Sequence, residues 1–285
     1  MDFYTIKRHL IPYTGKSPII SIIGIPFDST SIEFPGARFG PKEVRDIFSR
    51  QYGIDLNSGI NIYDKIEDLG DIEVVHGSFD KTNEQISGFL KAFKKIRKTI
   101  PIFIGGEHST TYSTVKELKK TEDFDLIVFD AHADCFETYA GEKMSHISYL
   151  HKLVFEKIID NVNIIGARSI AEEEQDFINK NNISISSKEK VNIGKICKNT
   201  KKKIYLSIDI DVLDYHLAIG SGCPEYNGFK LEELINYVKE IIKHKEIVGV
   251  DIVETNPMLD GSRVTVYSST FLLKEIVTEL AKKTK

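Results

Sequence analysis

Cysteine is scarce in this chain of 285 residues: Cys135, Cys197 and Cys223 are odd in number, scattered, and never form a C-x-x-C pair. That excludes a disulfide framework and a zinc knuckle and fits a reducing cytoplasm. Long apolar runs are also lacking. The longest early one, "PIISIIGIPF", is too short to span a bilayer, and the opening "MDFYTIKRHLIPYTGK" is too polar for a signal peptide. Positive charge is not in excess: 38 Lys and Arg stand against 42 Asp and Glu, for a formal charge of −4. This gives no footprint for nucleic acid and none for an acidic membrane surface. The lysine-rich "KAFKKIRK" and "CKNTKKK" have no interleaved aromatics and read as solvated faces. Repeats, low-complexity tracts and linkers are absent, which favours one domain over residues 1–285.

The chain is 41% hydrophobic and 28% charged, ordinary for a globular protein able to bury a sizeable core. Short β-branched runs alternate with longer amphipathic ones. Strands are expected at 19–25, 60–69, 100–105, 125–131, 162–167, 183–186, 203–210 and 247–253, and helices at 80–99, 109–120, 145–158, 230–244 and 267–283. Several strand runs are continuously apolar, as strands covered on both faces are. The expectation is an α/β fold, mainly parallel, with helices on both sides of the sheet. In such sheets, sites form at the carboxyl ends of strands.

Chemistry-bearing residues fall at those ends. The run 100–105 leads into "GGEHS" and His108. The run 125–131 ends in "DAHAD", with Asp130, His132 and Asp134 at every second position, so that all three share a face if the strand lasts that far. The run 203–210 ends in "SIDIDVLD", with Asp209 and Asp211, and 247–253 ends in "DIVETNP", with Glu254. "GEKMSHISYL" adds His146 at a helix start. His108, Asp130, His132, Asp134, Asp209 and Asp211 are candidate metal ligands. Four carboxylates and two imidazoles are too many and too oxygen-rich for one zinc. Two divalent cations bridged by carboxylates fit better, with Mn²⁺ favoured and Mg²⁺, Fe²⁺ or Co²⁺ as alternatives. Two dications balance four aspartates, and a bridging hydroxide leaves the site slightly negative, which suits a cationic substrate. Without metal, the crowded carboxylates would raise one another's pKa.

"GGEHS", "DAHAD", "SIDIDVLD" and "DIVETNP", in this order and over nearly the whole chain, resemble the arginase/agmatinase (ureohydrolase) family. "GIPFDSTSIEFPGARFGPKEVR" and "YAGEKMSH" are similar to its agmatinase branch. The resemblance implies a three-layer α/β/α fold around a mostly parallel eight-stranded sheet, with two Mn²⁺ at the carboxyl edge. It assigns one ion to His108, Asp130, Asp134 and Asp209 and the other to His132, Asp130, Asp209 and Asp211, with Asp130 and Asp209 bridging. It makes Glu254 the partner of a substrate guanidinium, a pairing with a physical basis in two parallel charge-assisted hydrogen bonds. It makes His146 a mobile proton shuttle. The implied reaction is attack of a metal-bridging hydroxide on the guanidinium carbon, with Asp134 relaying a proton to the leaving amine and urea released. The implied assembly is a homo-oligomer, trimeric or hexameric.

Arginases carry an acidic residue after the Arg of "G-x-R-D" and an Asn two residues past the last Asp of "DAHAD"; Ser169 and Phe136 stand there in this chain. The missing α-amino-acid contacts point to a decarboxylated, cationic guanidine such as agmatine or an N-alkylated agmatine. The chain departs from the family's "APGTGTPxPGG" at Tyr215, Ile219 and Cys223, and has Ile147 where Gly usually follows the shuttle histidine. These departures keep two alternatives in play: another ureohydrolase (guanidinobutyrase-, formiminoglutamase- or arginase-like), or a metal-binding homologue without turnover. Cys135 is expected to face away from the metals, His151 to pack or lie at the surface, and His76 to occupy a loop. Cys223 lies on the cleft-edge loop within reach of substrate, and His9, His216 and His244 are expected to be solvated. Arg168, at a strand end, is available to brace the cleft, with a structural ion pair as the favoured reading, and Arg38, in the turn-rich "FPGARFGP", is available for a subunit contact.

Overall fold

Alternate residues of each strand run enter different cores. Ile20 and Ile22 join one apolar cluster and Ile23 and Ile25 the other; likewise Ile102 and Ile104 part from Phe103, and Ile204, Leu206 and Ile208 from Tyr205. Period-two side chains that are apolar at every position demand cover on both faces of the sheet. The computed structural model, which describes Thr5–Ile6 and residues 18–283, shows that cover.

The strands are β1 (Thr5–Ile6), β2 (Ile20–Ile25), β3 (Ile66–Ile72), β4 (Ile100–Gly105), β5 (Asp125–Phe129), β6 (Val162–Ile165), β7 (Ser184–Ser186), β8 (Lys203–Asp209) and β9 (Glu246–Val253). They form one sheet in the order β1-β3-β2-β4-β9-β8-β5-β6-β7. Strands β2 to β9 are the eight expected and all run parallel. The short β1 adds an antiparallel edge on β3 that was not anticipated. Helices α1 (Gly40–Ser49), α6 (Ile193–Asn199), α7 (Leu231–His244) and α8 (Val264–Lys282) bury their apolar sides on one face. Helices α2 (Phe79–Ile96), α3 (Ser109–Lys119), α4 (Tyr149–Phe155) and α5 (Glu172–Lys180) cover the other. The architecture is the expected three-layer α/β/α.

Helices α1, α5 and α6 escaped the periodicity reading for separate reasons. Helix α1 starts with Gly40 and Pro41, inside a stretch read as a loop; proline is tolerated there because the first-turn N–H has no helical partner. Helix α5 opens on Glu172, Glu173 and Glu174 and buries little besides Ile178, and α6 is only seven residues long. The expected strand 60–69 begins late, because Asn61 Oδ1 accepts the Tyr63 N–H at 3.2 Å and winds Ile62–Lys65 into a 3-10 turn. Among the described residues no helix is long and apolar enough to cross a membrane.

The topology matters most at one edge. Strands β4, β9, β8 and β5 are adjacent at the middle of the sheet. They are the four whose carboxyl ends lead into "GGEHS", "ETNP", "DID" and "DAHAD".

Candidate metal centre

Two identical local devices end the ligand-bearing strands. Strand β5 stops at Phe129, so the shared-face argument for "DAHAD" does not hold beyond that point. Asp130 Oδ1 instead accepts the His132 N–H at 2.7 Å, and Asp209 Oδ1 accepts the Asp211 N–H at 2.8 Å. An aspartate that bonds the backbone two residues on turns the chain out of the strand and holds the intervening peptide. Ala131 N–H donates to Asp211 Oδ1 at 3.1 Å, tying the two turns together. Asp134 and Glu254 both sit in the left-handed region, with φ of 51° and 62°. Such backbone costs energy in a non-glycine residue and persists where the surroundings enforce it.

The glycines of "GGEHS" serve close approach. A Cβ on Gly106 would lie 1.9 Å from Phe27 O, and one on Gly105 2.7 Å from a Val253 methyl. Gly106 N–H donates to Ile25 O and Glu107 N–H to Phe27 O, so β4 exits against the end of β2 and delivers His108 at the start of α3.

These turns bring five of the six candidate ligands into two groups: His108, Asp130 and Asp209, and Asp130, His132 and Asp211, the donor atoms of each lying within 4.8 Å of one another. His108 Nδ1 is 3.2 Å from Asp130 Oδ2, from Asp209 Oδ2 and also from Asp134 Oδ2. His132 Nδ1 is 3.1 Å from Asp211 Oδ2 and 3.6 Å from Asp130 Oδ1. Asp130 therefore turns one oxygen to each group. Asp209 turns Oδ2 to His108, and its Oδ1 accepts the Asp211 amide as Asp130 Oδ1 accepts that of His132, each oxygen keeping a further lone pair.

Behind His108 lies a relay that sequence reading missed. Ser207 Oγ donates to Asp251 Oδ1 at 2.6 Å and contacts His108 Nε2 at 3.0 Å. A hydroxyl has one proton to give, so it accepts from Nε2–H and leaves the Nδ1 lone pair facing the carboxylates. Asp251 is itself held by Tyr205 and Thr111 hydroxyls at 2.7 and 2.8 Å, and Tyr149 stacks on the His108 ring at 4.2 Å. The available signal was a lone charge inside the apolar run "IVGVDIV".

Glu254 Oε1 accepts the His108 N–H at 2.8 Å and lies 3.3 Å from His146 Nδ1. His146 Nε2 accepts the Ile32 N–H at 3.3 Å. Glu107, quoted in its motif but given no role from sequence, holds the loop bearing Ile32: it accepts from Thr30 N–H at 3.0 Å, Thr30 Oγ1 at 2.5 Å and Ser31 Oγ at 3.3 Å. Around these groups runs a cleft of about 200 Å³. It is lined by His132, Asp134, His146, Asp209, Asp211 and Glu254 together with Phe136, Ile147, Ser169, Ala171, Glu174, Gly222 and Cys223.

Crowding sets the protonation of the cluster. Burial, then the Asp130 charge, pushes Asp134 up to about 7. Burial with Asp211 and Asp130 raises Asp209 well above the carboxylate range. Burial opposes charge on both histidines, but the surrounding carboxylates overcome it and raise each pKa strongly. The field calls for positive charge. At His108 Nδ1 a proton answers it badly: the atom is buried and has no hydrogen-bond partner, although three carboxylate oxygens stand at 3.2 Å. One N–H cannot serve three acceptors, whereas a cation among the four atoms can. The donor set, oxygen-rich with one imidazole per group, fits hard or borderline divalent ions.

The model of the arginase family matches residues 19–280. The chain belongs to the arginase family. Relatives are similar along most of their length. The N(1)-aminopropylagmatine ureohydrolase of Thermococcus kodakarensis is 34% identical, over 82% of this chain and 81% of its own. The agmatinase of Bacillus subtilis is 31% identical, over 93% and 96%. The crystal structure of the agmatine ureohydrolase of Thermoplasma volcanium superposes with a TM-score of 0.83 at 27% identity, covering 94% of this chain and 91% of that one. A formimidoylglutamase of Bacillus subtilis is also similar, at 28% identity over 86% of this chain and 82% of its own.

Within this arginase-family chain the remaining expectations divide. Cys135 is buried, with its Sγ 3.1 Å from Ala133 O. His151 packs against Phe177, ring centres 4.0 Å apart. Cys223 lines the cleft, and burial pushes its thiol up to about 11. His244 is exposed, His216 is exposed beside Asp214, and His76 is a loop residue that does not line the cleft. His9 lies outside the described residues. One expectation is corrected. Arg168 donates to backbone carbonyls, among them Asp211 O and Glu225 O, rather than to a carboxylate. Arg38 pairs with Asp28 and stays about a third exposed. Of the departing residues, Ile147 and Cys223 line the cleft but Tyr215 and Ile219 do not.

Proposed function

We propose that this chain is a binuclear manganese amidinohydrolase that hydrolyses a cationic guanidine, agmatine first, to an amine and urea. The observation that carries the substrate charge is the lining of the cleft: Glu174 and Glu254 join His132, Asp134, Asp209 and Asp211 there, and among the described residues no lysine or arginine lines it. Glu174 is buried, its oxygens accepting the Cys135 and Ala171 amides, each at 2.8 Å. An acidic substrate tail, as in guanidinobutyrate or formiminoglutamate, would meet no counter-charge and a buried carboxylate. An ammonium tail meets a favourable field. Glu33 continues that field at the rim, near enough to Cys223 to raise its thiol, and this favours an N-alkylated agmatine with a further amine as the second substrate to try.

His108, Asp130, Asp134 and Asp209 would hold one cation, and His132, Asp130, Asp209 and Asp211 the other. Such a pair would supply Lewis acidity, lowering the pKa of a bound water from about 15.7 towards about 7. The chain's own groups do the rest. Glu254 orients the guanidinium, its Oε1 already engaged by the His108 amide. Asp134 takes the proton of the attacking water and gives it to the departing amine nitrogen as the C–N bond breaks. His146 moves a proton at Nε2, the atom the Ile32 N–H now covers, so that loop must yield for the shuttle to work. Subunits are proposed to assemble as trimers or hexamers in the cytoplasm.

The experiment is urea release by the Mn²⁺-loaded protein from agmatine, N-aminopropylagmatine, guanidinobutyrate and arginine, with release of formamide from formiminoglutamate measured beside it. Turnover of the two cationic amines supports the reading. Turnover of only the acidic substrates overturns the charge argument, and no turnover with two ions bound establishes a binding protein instead.

A further inference from the structure

An imidazole that gives one nitrogen to a cation keeps an N–H on the other, and what receives that N–H fixes the ring's plane and tautomer. For His108 the receiver is Ser207 backed by Asp251. For His132 the structure offers a different group. His132 Nδ1 faces Asp211 and Asp130, while Nε2 points the opposite way and lies 3.7 Å from Glu225 Oε1. Glu225 belongs to the segment that departs most from the family pattern.

That segment is clamped. Arg168 Nη2 donates to Asp211 O at 2.7 Å, Leu213 O at 3.0 Å and Glu225 O at 3.1 Å. Its Nη1 donates to Gly166 O at 3.2 Å and Val212 O at 3.3 Å, and its Nε to Tyr226 O at 3.0 Å. A planar guanidinium with five N–H groups can hold several carbonyls at once, which an ammonium on a flexible stem does less well. One side chain thus joins the backbone that carries Asp211 to the backbone that carries Glu225. Those two carboxylates face opposite nitrogens of His132. At the far end, Gly228 N–H donates to Asp214 Oδ2 at 3.1 Å, and Phe229 N–H to Val212 O at 3.0 Å, closing the loop on the same turn. Every bond from Arg168 goes to a backbone oxygen, so the substitutions at Tyr215, Ile219 and Cys223 leave the clamp whole.

We propose that Glu225 is a positioning residue for His132: it holds the Nε2–H side so that Nδ1 faces Asp130 and Asp211 ready for a cation, and Arg168 sets Glu225 in place. The divergent loop is then part of the metal centre's support. The inference rests on the two-cation reading above and extends it.

The test is Mn²⁺ titration of the metal-stripped full-length protein by calorimetry, with bound metal counted by atomic emission. The proteins are the natural chain, Glu225→Ala, Glu225→Gln and Arg168→Met. The natural chain is expected to bind two ions. Glu225→Ala should weaken one of them about 10–100-fold and leave the other unchanged. Its metal-free melting temperature should match that of the natural chain, which separates positioning from a folding defect. Glu225→Gln, whose amide oxygen can accept an N–H as the carboxylate can, should recover most of the loss. Arg168→Met, if it folds, should weaken the same ion. Natural affinity for both ions in Glu225→Ala overturns the proposal, whether or not KM for agmatine rises. So does a Glu225→Gln protein as weak as the alanine variant, since that result makes the effect one of net charge. A natural chain that binds fewer than two ions sinks the two-cation reading and this inference with it.

Discussion

His108 and His132 face a shared aspartate from opposite sides, yet they are built differently. The His108 side chain is 1% exposed, stacked on Tyr149 and backed by a buried serine–aspartate relay that strands β8 and β9 and helix α3 support. The His132 side chain is 24% exposed and faces a half-exposed glutamate on a loop that one arginine staples down. The first half is built from sheet and core, where packing leaves one arrangement. The second is built from turns, where backbone hydrogen bonds do the fixing and side chains are free to diverge. The candidate centre thus has a buried floor under a more exposed rim, and rims of this kind are where relatives on one fold diverge.

The largest effect should come from the residue the halves share. Asp130→Asn is expected to lower urea release by at least about three orders of magnitude, on the scale seen when one member of a jointly acting unit is removed. It should also reduce the affinity for both ions in a Mn²⁺ titration. Loss of only one ion would show that the halves do not depend on one another through Asp130.

Next comes the floor beneath His108. Ser207→Ala leaves a buried imidazole N–H and one Asp251 oxygen without their partner, a cost of about 1–3 kcal/mol in stability by denaturant unfolding. The accompanying fall in cation affinity should be about 10–100-fold. A stability loss with unaltered metal binding would reduce the relay to structure alone.

The wall between the halves and the substrate should respond to pH. Burial alone would depress the His146 imidazolium, but Glu254, with Glu107 and Asp134, outweighs it and pushes the pKa up to about 9 from the ordinary 6.5. A raised pKa means that the folded, metal-free chain holds this proton more tightly than the unfolded chain, the charged ring giving up the Ile32 N–H bond at Nε2. The contribution to stability is therefore complete below about pH 6.5 and disappears as pH rises through about 9. Urea unfolding at several pH values should show that decline, and Glu254→Gln should flatten it. An equally steep decline in the variant would remove Glu254 as the cause.

The smallest effect belongs to the rim. Cys223→Thr, which restores the residue common in the family, should change stability by less than about 0.5 kcal/mol and confine its effect on turnover to KM. A large gain in kcat would mean that the divergent loop restrains the chemistry itself.

Much of this was readable without coordinates because the ligands lie in short motifs placed where apolar runs end. Asp130, His132 and Asp134, or Asp209 and Asp211, announce a cation site by chemistry and spacing. The geometry behind them was not readable. Spacing two apart suggested a continuing strand, whereas Asp130 and Asp209 break their strands by bonding the backbone ahead. Asp251 looked like an ordinary strand residue because its partners, Ser207, Tyr205 and Thr111, lie on β8 and α3. Arg168 looked like an ion-pair residue because nothing local shows that carbonyls from two distant loops converge on it.

Composition, strand periodicity and the order of the motifs were enough to determine the class of fold, the inventory of candidate ligands and the family, since each depends on residues near one another in the chain. Which aspartate turns an oxygen to each histidine, what stands behind each imidazole and which charges line the cleft were decided only when β4, β9, β8 and β5 came side by side. Those are relations of a few ångströms between segments far apart in sequence, and parallel pairing across the sheet is what sets them.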